Sequence, residues 1–292
     1  MANPEHLAKL NEGAEVWNTW RREHPGFIPD LYEANLSDAD LRNVNLREAD
    51  LHGVAFSEAD LRGANLRLAY LGETDLTEAN LSGADLREAD LEKAKLRDAN
   101  LRGAELVGVN LSEADLRGAF LRDANLRDAF LLGADLRGTN LRGVDLRWAN
   151  LSAKDQIVGS ANLSRANLRE ADCRGTNFNG VDLSWTLLDE AKLIGANLRR
   201  ANLSRAFLYQ ANLIGADFLG ANLSGAFLDQ TILTGANLID ANLSGVFLRW
   251  ATLRDVKNLS MRQLSKAATL CGAELDEDIR KKIEAEHPHL LK

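Results

Sequence analysis

The side chains of this 292-residue chain that could ligate a metal, move a proton or attack an electrophile are five histidines, two cysteines and 43 carboxylates. Zinc motifs typically set such groups at short spacings. His52 has no Cys or His near it in sequence, His6 and His24 stand alone, and His287-Pro288-His289 reads as a solvated tail able to pick up a stray metal. Serine is plentiful, but no histidine pairs with one to activate it, and no phosphate-binding glycine motif occurs. The carboxylates recur on a short period that puts them on convex corners, where no cleft would exclude water. Catalytic, cofactor-binding and metal-binding residues are therefore all expected to be none, and the chain is read as no enzyme. Cys173 and Cys271 lie far apart and give no disulfide framework, which is compatible with a reducing compartment.

What would position these groups is a repeat. From about Pro29 to Leu253 almost every fifth residue is leucine, as in Leu121-Arg-Asp-Ala-Asn-Leu126-Arg-Asp-Ala-Phe-Leu131. There are 44 such pentads, 25 centred on Leu31 to Leu151 and 19 centred on Leu163 to Leu253. The centre is Leu in 40, Phe at Phe56, Phe178 and Phe218, and Cys at Cys173. A self-similar period decides the architecture before any other signal. In a helix each successive leucine would turn by about 140° and smear around the circumference. In a straight strand an odd spacing would send alternate leucines to opposite faces. Only a chain that bends after each pentad buries them all.

The small residue and the leucine of a pentad are two apart, so a short extended piece points both inward and the Asn or Asp between them outward. The next two residues suit an exposed corner. Outward positions form columns at a spacing of 20, such as Phe207, Phe227 and Phe247, or Ser164, Ser184, Ser204, Ser224 and Ser244. A spacing of 15 gives none, so four edges to the coil is the better reading, a 20-residue ancestral duplication being the weaker account of the same columns; each coil must stack on the next at ~4.8 Å to bury its leucines.

The chain resembles the pentapeptide-repeat family, whose motif is Ala-Asp/Asn-Leu-x-x; 31 of the 44 pentads carry Asp or Asn before the centre. The resemblance implies an all-β solenoid, a right-handed quadrilateral β-helix. About eleven coils would make a rod of ~50 Å at that stacking distance. The Asn3-Pro4-Glu5-His6-Leu7 start and the terminal segment are similar to the ends of cyanobacterial members of the family.

Flanking segments break the period. Leu7, Leu10, Ala14, Trp17 and Trp20 share a helical face, with a start at Asn3-Pro4 and a stop at His24-Pro25-Gly26, so residues 1–28 read as an N-terminal helical cap. Two arrays follow, 29–151 and 161–254. Between them residues 152–160 break the frame, because leucine returns two places late; one lengthened edge accounts for it. Residues 255–292 read as a C-terminal helical cap. Ser260-Met-Arg-Gln263 opens a helix running through Leu264, Ala267, Ala268 and Leu270 to Gly272, and Asp276 caps a second that ends at Pro288.

Two surfaces are candidates for function. One face of the first array carries Asp30, Glu33, Asp50, Glu73, Asp90, Glu92 and Glu113 against Lys93 alone. In the second array Leu187, Phe207, Phe227 and Phe247 replace the usual Asp or Asn and point outward in one column, with Tyr209 and Trp250 beside them. Adjoining faces add Ile194, Ile214 and Ile232, together with Leu219 and Ile239. Exposed apolar patches of this kind mark interfaces. A second copy of the chain, the C-terminal helices folded back, or a partner protein would cover this one. The expected function is a non-enzymatic scaffold for protein–protein interaction or self-association. The alternative, through the resemblance to quinolone-resistance members of the family, is a DNA mimic acting on gyrase through its acidic face. Against it, 15 Lys and Arg are interleaved among the 22 Asp and Glu of Leu31 to Leu151. A net charge of −8 argues against direct nucleic-acid binding, and the absence of an 18-residue apolar run or a signal peptide points to a cytoplasmic protein without a membrane segment.

Overall fold

The computed structural model describes residues 1–151 and 161–292, which divide into two compact units, Met1–Asp145 and Leu146–Lys292. Both are built from the same five-residue edge. Ala201-Asn202-Leu203-Ser204-Arg205 shows how its backbone is satisfied. Ala201 N–H closes a turn on Leu198 O (3.2 Å), Asn202 N–H donates back to Val181 O (2.9 Å), and Leu203 and Arg205 N–H donate onward to Asn222 O (2.7 Å) and Ser224 O (3.0 Å). Ser204 N–H alone has no backbone acceptor, and the side chain of Asn202 takes it, Oδ1 at 3.3 Å. A buried or half-buried backbone donor must be paired. This is why Asn or Asp precedes the central leucine: it is an Asx turn that bends the chain into the corner.

The third residue of each corner is left-handed, with φ near 55–62° in examples such as Glu58, Arg165 and Arg205. No β-branched residue occupies the place, since a branched Cβ is strongly disfavoured there. The parallel pairing of residue n with n+20, as in Asp30↔Asp50↔Tyr70↔Asp90, confirms four edges per coil. Each extended piece is so short that the described residues show single parallel bridges rather than continuous strands. Inside, Leu86, Leu213, Phe56, Phe178 and Phe218 are fully buried. The few threonines at the small inward position find a carbonyl for the hydroxyl, as Thr186 does on Leu163 O at 3.0 Å.

In the first unit the helical segment is two helices, α1 (Pro4–Asn11) and α2 (Ala14–Glu23), not one. The expected Asn3 cap is present, its side chain accepting Glu5 N–H at 2.9 Å. The break comes at Gly13, at φ 103°, a conformation that disfavours any residue with a Cβ. It also rotates the buried face, which holds His6, Leu10, Trp17 and Arg21 rather than Leu7, Ala14 and Trp20. The side chains of α2 then satisfy an open coil edge. Trp17 Nε1 donates to Asn45 O (2.7 Å), Asn18 Nδ2 donates to Asn43 O (2.9 Å), and Asn18 Oδ1 accepts Asn45 N–H (2.7 Å).

In the second unit the frame break itself, residues 152–160, lies outside the described residues. Of the described residues flanking it, Asn150 pairs with Asp172, an offset of 22. The C-terminal segment differs from the sequence reading. The capping box Ser260–Gln263 is present, but its helix α3 is only Met261–Leu264. Residues 268–275 resume the pentad: Thr269 pairs with Phe247 and Glu274 with Thr252, again at an offset of 22. The phrase Ala268-Thr269-Leu270-Cys271-Gly272-Ala273-Glu274-Leu275 carries the repeat in plain sight. Helix α4 (Glu277–Glu286) follows, and Leu290 O in a final 3₁₀ turn accepts Leu270 N–H at 2.6 Å.

Two measurements check this core. Leu213→Ala should lower the unfolding free energy of the second unit by about 2–5 kcal/mol in a denaturant titration, because a packed centre cannot collapse around the void. Burial pushes the Cys173 thiol well above its usual range, whereas Cys271 is only half-buried. A thiol reagent should therefore label Cys271 in the native chain and Cys173 only on unfolding.

Candidate functional site

In the second unit the sides are fixed by pairing. Leu187↔Phe207↔Phe227↔Phe247 is one ladder, on the side centred on Leu188, Leu208, Leu228 and Leu248. The phenylalanine rings stack face to face, 4.9 Å between centroids and 6° between planes for each successive pair. This spacing is the coil repeat itself, so the stacking follows from in-register pairing. Leu187 and the three rings are half-buried by their neighbours above and below, while Tyr209 is 41% and Trp250 58% exposed. Arg249 lies over the Phe247 ring, Cζ 5.7 Å from its centroid.

Losing Asn or Asp from this column removes the Asx acceptor, and the structure supplies another. Tyr209 N–H donates to Asp189 Oδ1 (3.1 Å) and Arg249 N–H to Asp229 Oδ1 (2.8 Å), each one coil back. Sequence reading missed this role of Asp189 and Asp229; their placement two after an apolar pre-centre residue is the signal. The adjoining side brings up Ile194, Ile214 and Ile232, each 38–39% exposed. Leu219 and Ile239 do not join them. They belong to the side centred on Phe218 and Leu238, two corners away and opposite the rings. With Tyr209, Trp250, Ile194 and Ile214 all exposed, the C-terminal helices do not fold back over this surface. The terminal segment meets it at its end, where Thr269 continues the ladder from Phe247, Trp250 N–H donates to Cys271 O (2.9 Å) and Gly272 passes the Trp250 indole too closely to admit a Cβ.

In the first unit the acidic residues do share one side. Asp30, Asp50 and Asp90 stand in one ladder, with Tyr70 between the last two, and Glu33, Glu73 and Glu113 occupy the corner of alternate coils, with Glu92 beside Lys93 (3.2 Å). The three aspartates serve as Asx acceptors for Tyr32, His52 and Glu92 N–H. Elsewhere the pentad Asp-Leu-Arg folds into a clamp: the guanidinium of Arg42 reaches back to both oxygens of Asp40 (2.7 and 2.6 Å), and Arg62–Asp60, Arg87–Asp85 and Arg174–Asp172 repeat it.

Seven carboxylates less one lysine over five coils give about one net charge per 4 Å at the ~4.8 Å stacking distance, against one per ~1.7 Å for duplex DNA. Shallow hollows do occur on the surface. One of about 600 Å³ is lined by Asp240, Ser260, Arg262, Gln263 and Lys266, so the corner surface is not uniformly convex.

The clamps set the acid response. Hydrogen bonds from the paired arginine hold Asp60, Asp85 and Asp172 below the usual carboxylate range, and Asp40 at about 2. A depressed folded pKa adds stability that is present above the unfolded value of ~3.9 and is lost as pH falls through the folded value. The denaturant midpoint should therefore hold steady from pH 7 to about 5 as far as these groups are concerned, and fall between about pH 4 and 2. Asp85→Asn should remove part of that fall.

A family model for pentapeptide repeats matches in eight copies, at residues 30–67, 64–103, 104–143, 121–153, 159–193, 182–220, 191–230 and 216–255. Among solved structures, the chain is similar to HetL, a pentapeptide repeat protein involved in heterocyst differentiation regulation from the cyanobacterium Nostoc sp. strain PCC 7120. Identity is 33%, coverage 83% of this chain and 98% of that one, and the TM-score 0.51. It is also similar to a pentapeptide repeat protein of the Arabidopsis thaliana thylakoid lumen, with 31% identity over 36% of this chain and 71% of that one and a TM-score of 0.34. Rfr23 from the cyanobacterium Cyanothece 51142 is 37% identical over 36% of this chain and 60% of that one, with a TM-score of 0.18. A search of curated proteins found no match. Five-residue edges, four to the coil, and family-model matches over most of its length place the chain in the pentapeptide-repeat family.

Proposed function

We propose that the protein is a non-enzymatic scaffold whose aromatic side, in the second unit, docks another protein surface. The observation that carries this reading is the stacked Phe207–Phe227–Phe247 ladder flanked by exposed Tyr209, Trp250, Ile194 and Ile214. Apolar groups left wet forgo about 1.5–3 kcal/mol each of burial, and the places of the rings are held by Asn or Asp in most other pentads. Tyr and Trp with an arginine nearby are also the side chains that dominate binding energy at interfaces. Helices α1, α2 and α4 serve this role indirectly, as caps that keep open coil edges from pairing with other chains. HetL, a protein involved in heterocyst differentiation regulation, supports a regulatory rather than a catalytic setting.

DNA mimicry through the acidic side has less support. The charge there is too sparse to reproduce a phosphate backbone, and on neighbouring sides carboxylates such as Asp40 and Asp85 are clamped by arginine.

The test compares proteins captured from the source cells by the wild-type chain and by Phe207→Asn with Phe227→Asn, after a matching melting temperature shows the variant folded. Loss of specific captured proteins is the expected result. An unchanged set would overturn the aromatic side as the working surface. No inhibition of gyrase supercoiling at micromolar protein would dispose of mimicry.

A further inference from the structure

We propose that the aromatic side pairs with the same side of a second copy of this chain, antiparallel, about a two-fold axis midway between the coils of Leu208 and Leu228. The inference rests on reading that side as a docking surface and names its occupant.

A two-fold axis lying in the plane of the side and across the coils keeps every column facing itself while reversing its order. An isologous contact therefore requires each column to complement its own reverse. With the axis between Leu208 and Leu228, the coil of Leu188 meets that of Leu248, and the coil of Leu208 meets that of Leu228.

Four neighbouring columns satisfy the requirement. In the ring column, Phe207 meets Phe227 and Leu187 meets Phe247, so all four apolar groups are covered. In the next column, which reads Asp189, Tyr209, Asp229, Arg249, the carboxylate of Asp189 meets the guanidinium of Arg249, and the Tyr209 hydroxyl can donate to Asp229. The corner column beyond reads Glu190, Gln210, Gln230, Trp250, and its two amides face each other. They already bond in that sense within one chain, Gln210 Nε2 to Gln230 Oε1 at 2.8 Å. On the opposite corner the column reads Trp185, Arg205, Gly225, Gly245, so each bulky group meets a glycine. Trp185 and Arg205 already stack in one chain, Cζ 5.0 Å from the ring centroid, as a ridge next to the bare glycine corners.

Registers with the axis through a coil fail. Centred on Leu208 they oppose Asp189 to Asp229 and Arg205 to Arg205, and centred on Leu228 they oppose Asp229 to itself. Like charges directly opposed are penalised. Arg249 has a cation–π contact with Phe247 but no carboxylate within salt-bridge distance among the described residues, which leaves it available to Asp189 of the second copy.

The contact is small. Four coils of one side span about 20 Å along the stack, and two such faces bury area near or below the ~1,200 Å² of transient complexes. Association should therefore be weak enough to be reversible.

Sedimentation equilibrium of the full chain from about 10 µM to 1 mM tests the proposal. The wild type should show a monomer–dimer equilibrium, and Arg249→Asp or Asp189→Arg alone should weaken it at least about tenfold. An equimolar mixture of the two variants should regain wild-type association, because each supplies the charge the other lacks. A wild type that stays monomeric at 1 mM overturns the proposal, as does a mixture of folded variants that fails to recover. If Asp189→Arg does not fold, having lost the acceptor for Tyr209 N–H at 3.1 Å and its own Arg169 partner at 2.8 Å, Arg249→Asp alone decides, and unchanged association overturns the register. Monomeric wild type together with Phe207-dependent capture of another protein would sink self-pairing and leave the scaffold reading standing.

Discussion

Parallel pairing of each residue with the one twenty places on is the constraint from which the rest of both units follows. Because the register does not slip, every position of the coil stacks on its own kind. Leucine lies on leucine in the interior, Asn on Asn along ladders such as Asn202–Asn222–Asn242 (3.1 Å for each amide bond), and ring on ring where phenylalanine intrudes. A single change is thereby presented to the coils on either side of it. This is why columns, rather than individual residues, are the unit of variation in the sequence.

The same register explains how the surface tolerates so much charge. Carboxylates before the centre are tied down twice, by the backbone N–H of the corner and, in the Asp-Leu-Arg pentads, by a guanidinium two residues on. Exposed ion pairs contribute little each. Their consequence is that these sides present neutral clamps instead of a field. The acidic side of the first unit lacks the arginines, and the aromatic side of the second lacks the Asn or Asp that usually precedes the centre. These two surfaces depart from the repeat, and departures that the core does not need are where function is best sought.

Much of this was legible in the residues. The five-residue spacing excludes helix and straight strand on geometry alone, and the Phe207, Phe227 and Phe247 column counts the edges of a coil. Other features were hidden by weaker signals. Gly13 splits the first helix because its φ of 103° suits glycine, yet a lone glycine in a helical pattern is tolerated often enough to pass unnoticed. The stretch around Ala267, Ala268 and Leu270 satisfies a helical period and a pentad at once; the pentad wins because it can bond to the coil beneath, as Leu248 N–H to Thr269 O does at 3.1 Å. Leu219 and Ile239 were grouped with the rings by type, and the walk of five residues per side carries them to the opposite face.

The sequence by itself determined the repeat, the buried leucine column and the membership of each outward column, since these depend only on spacing and on which side chains water excludes. The tertiary structure decided how the backbone is satisfied and what each surface shows. Only folded coils reveal that one N–H per edge is orphaned, so that Asp189 and Asp229 must replace the missing Asx acceptors beside the rings. Such donors and acceptors lie twenty residues apart in the chain and meet only when the coil closes, and no local pattern of residues records that meeting.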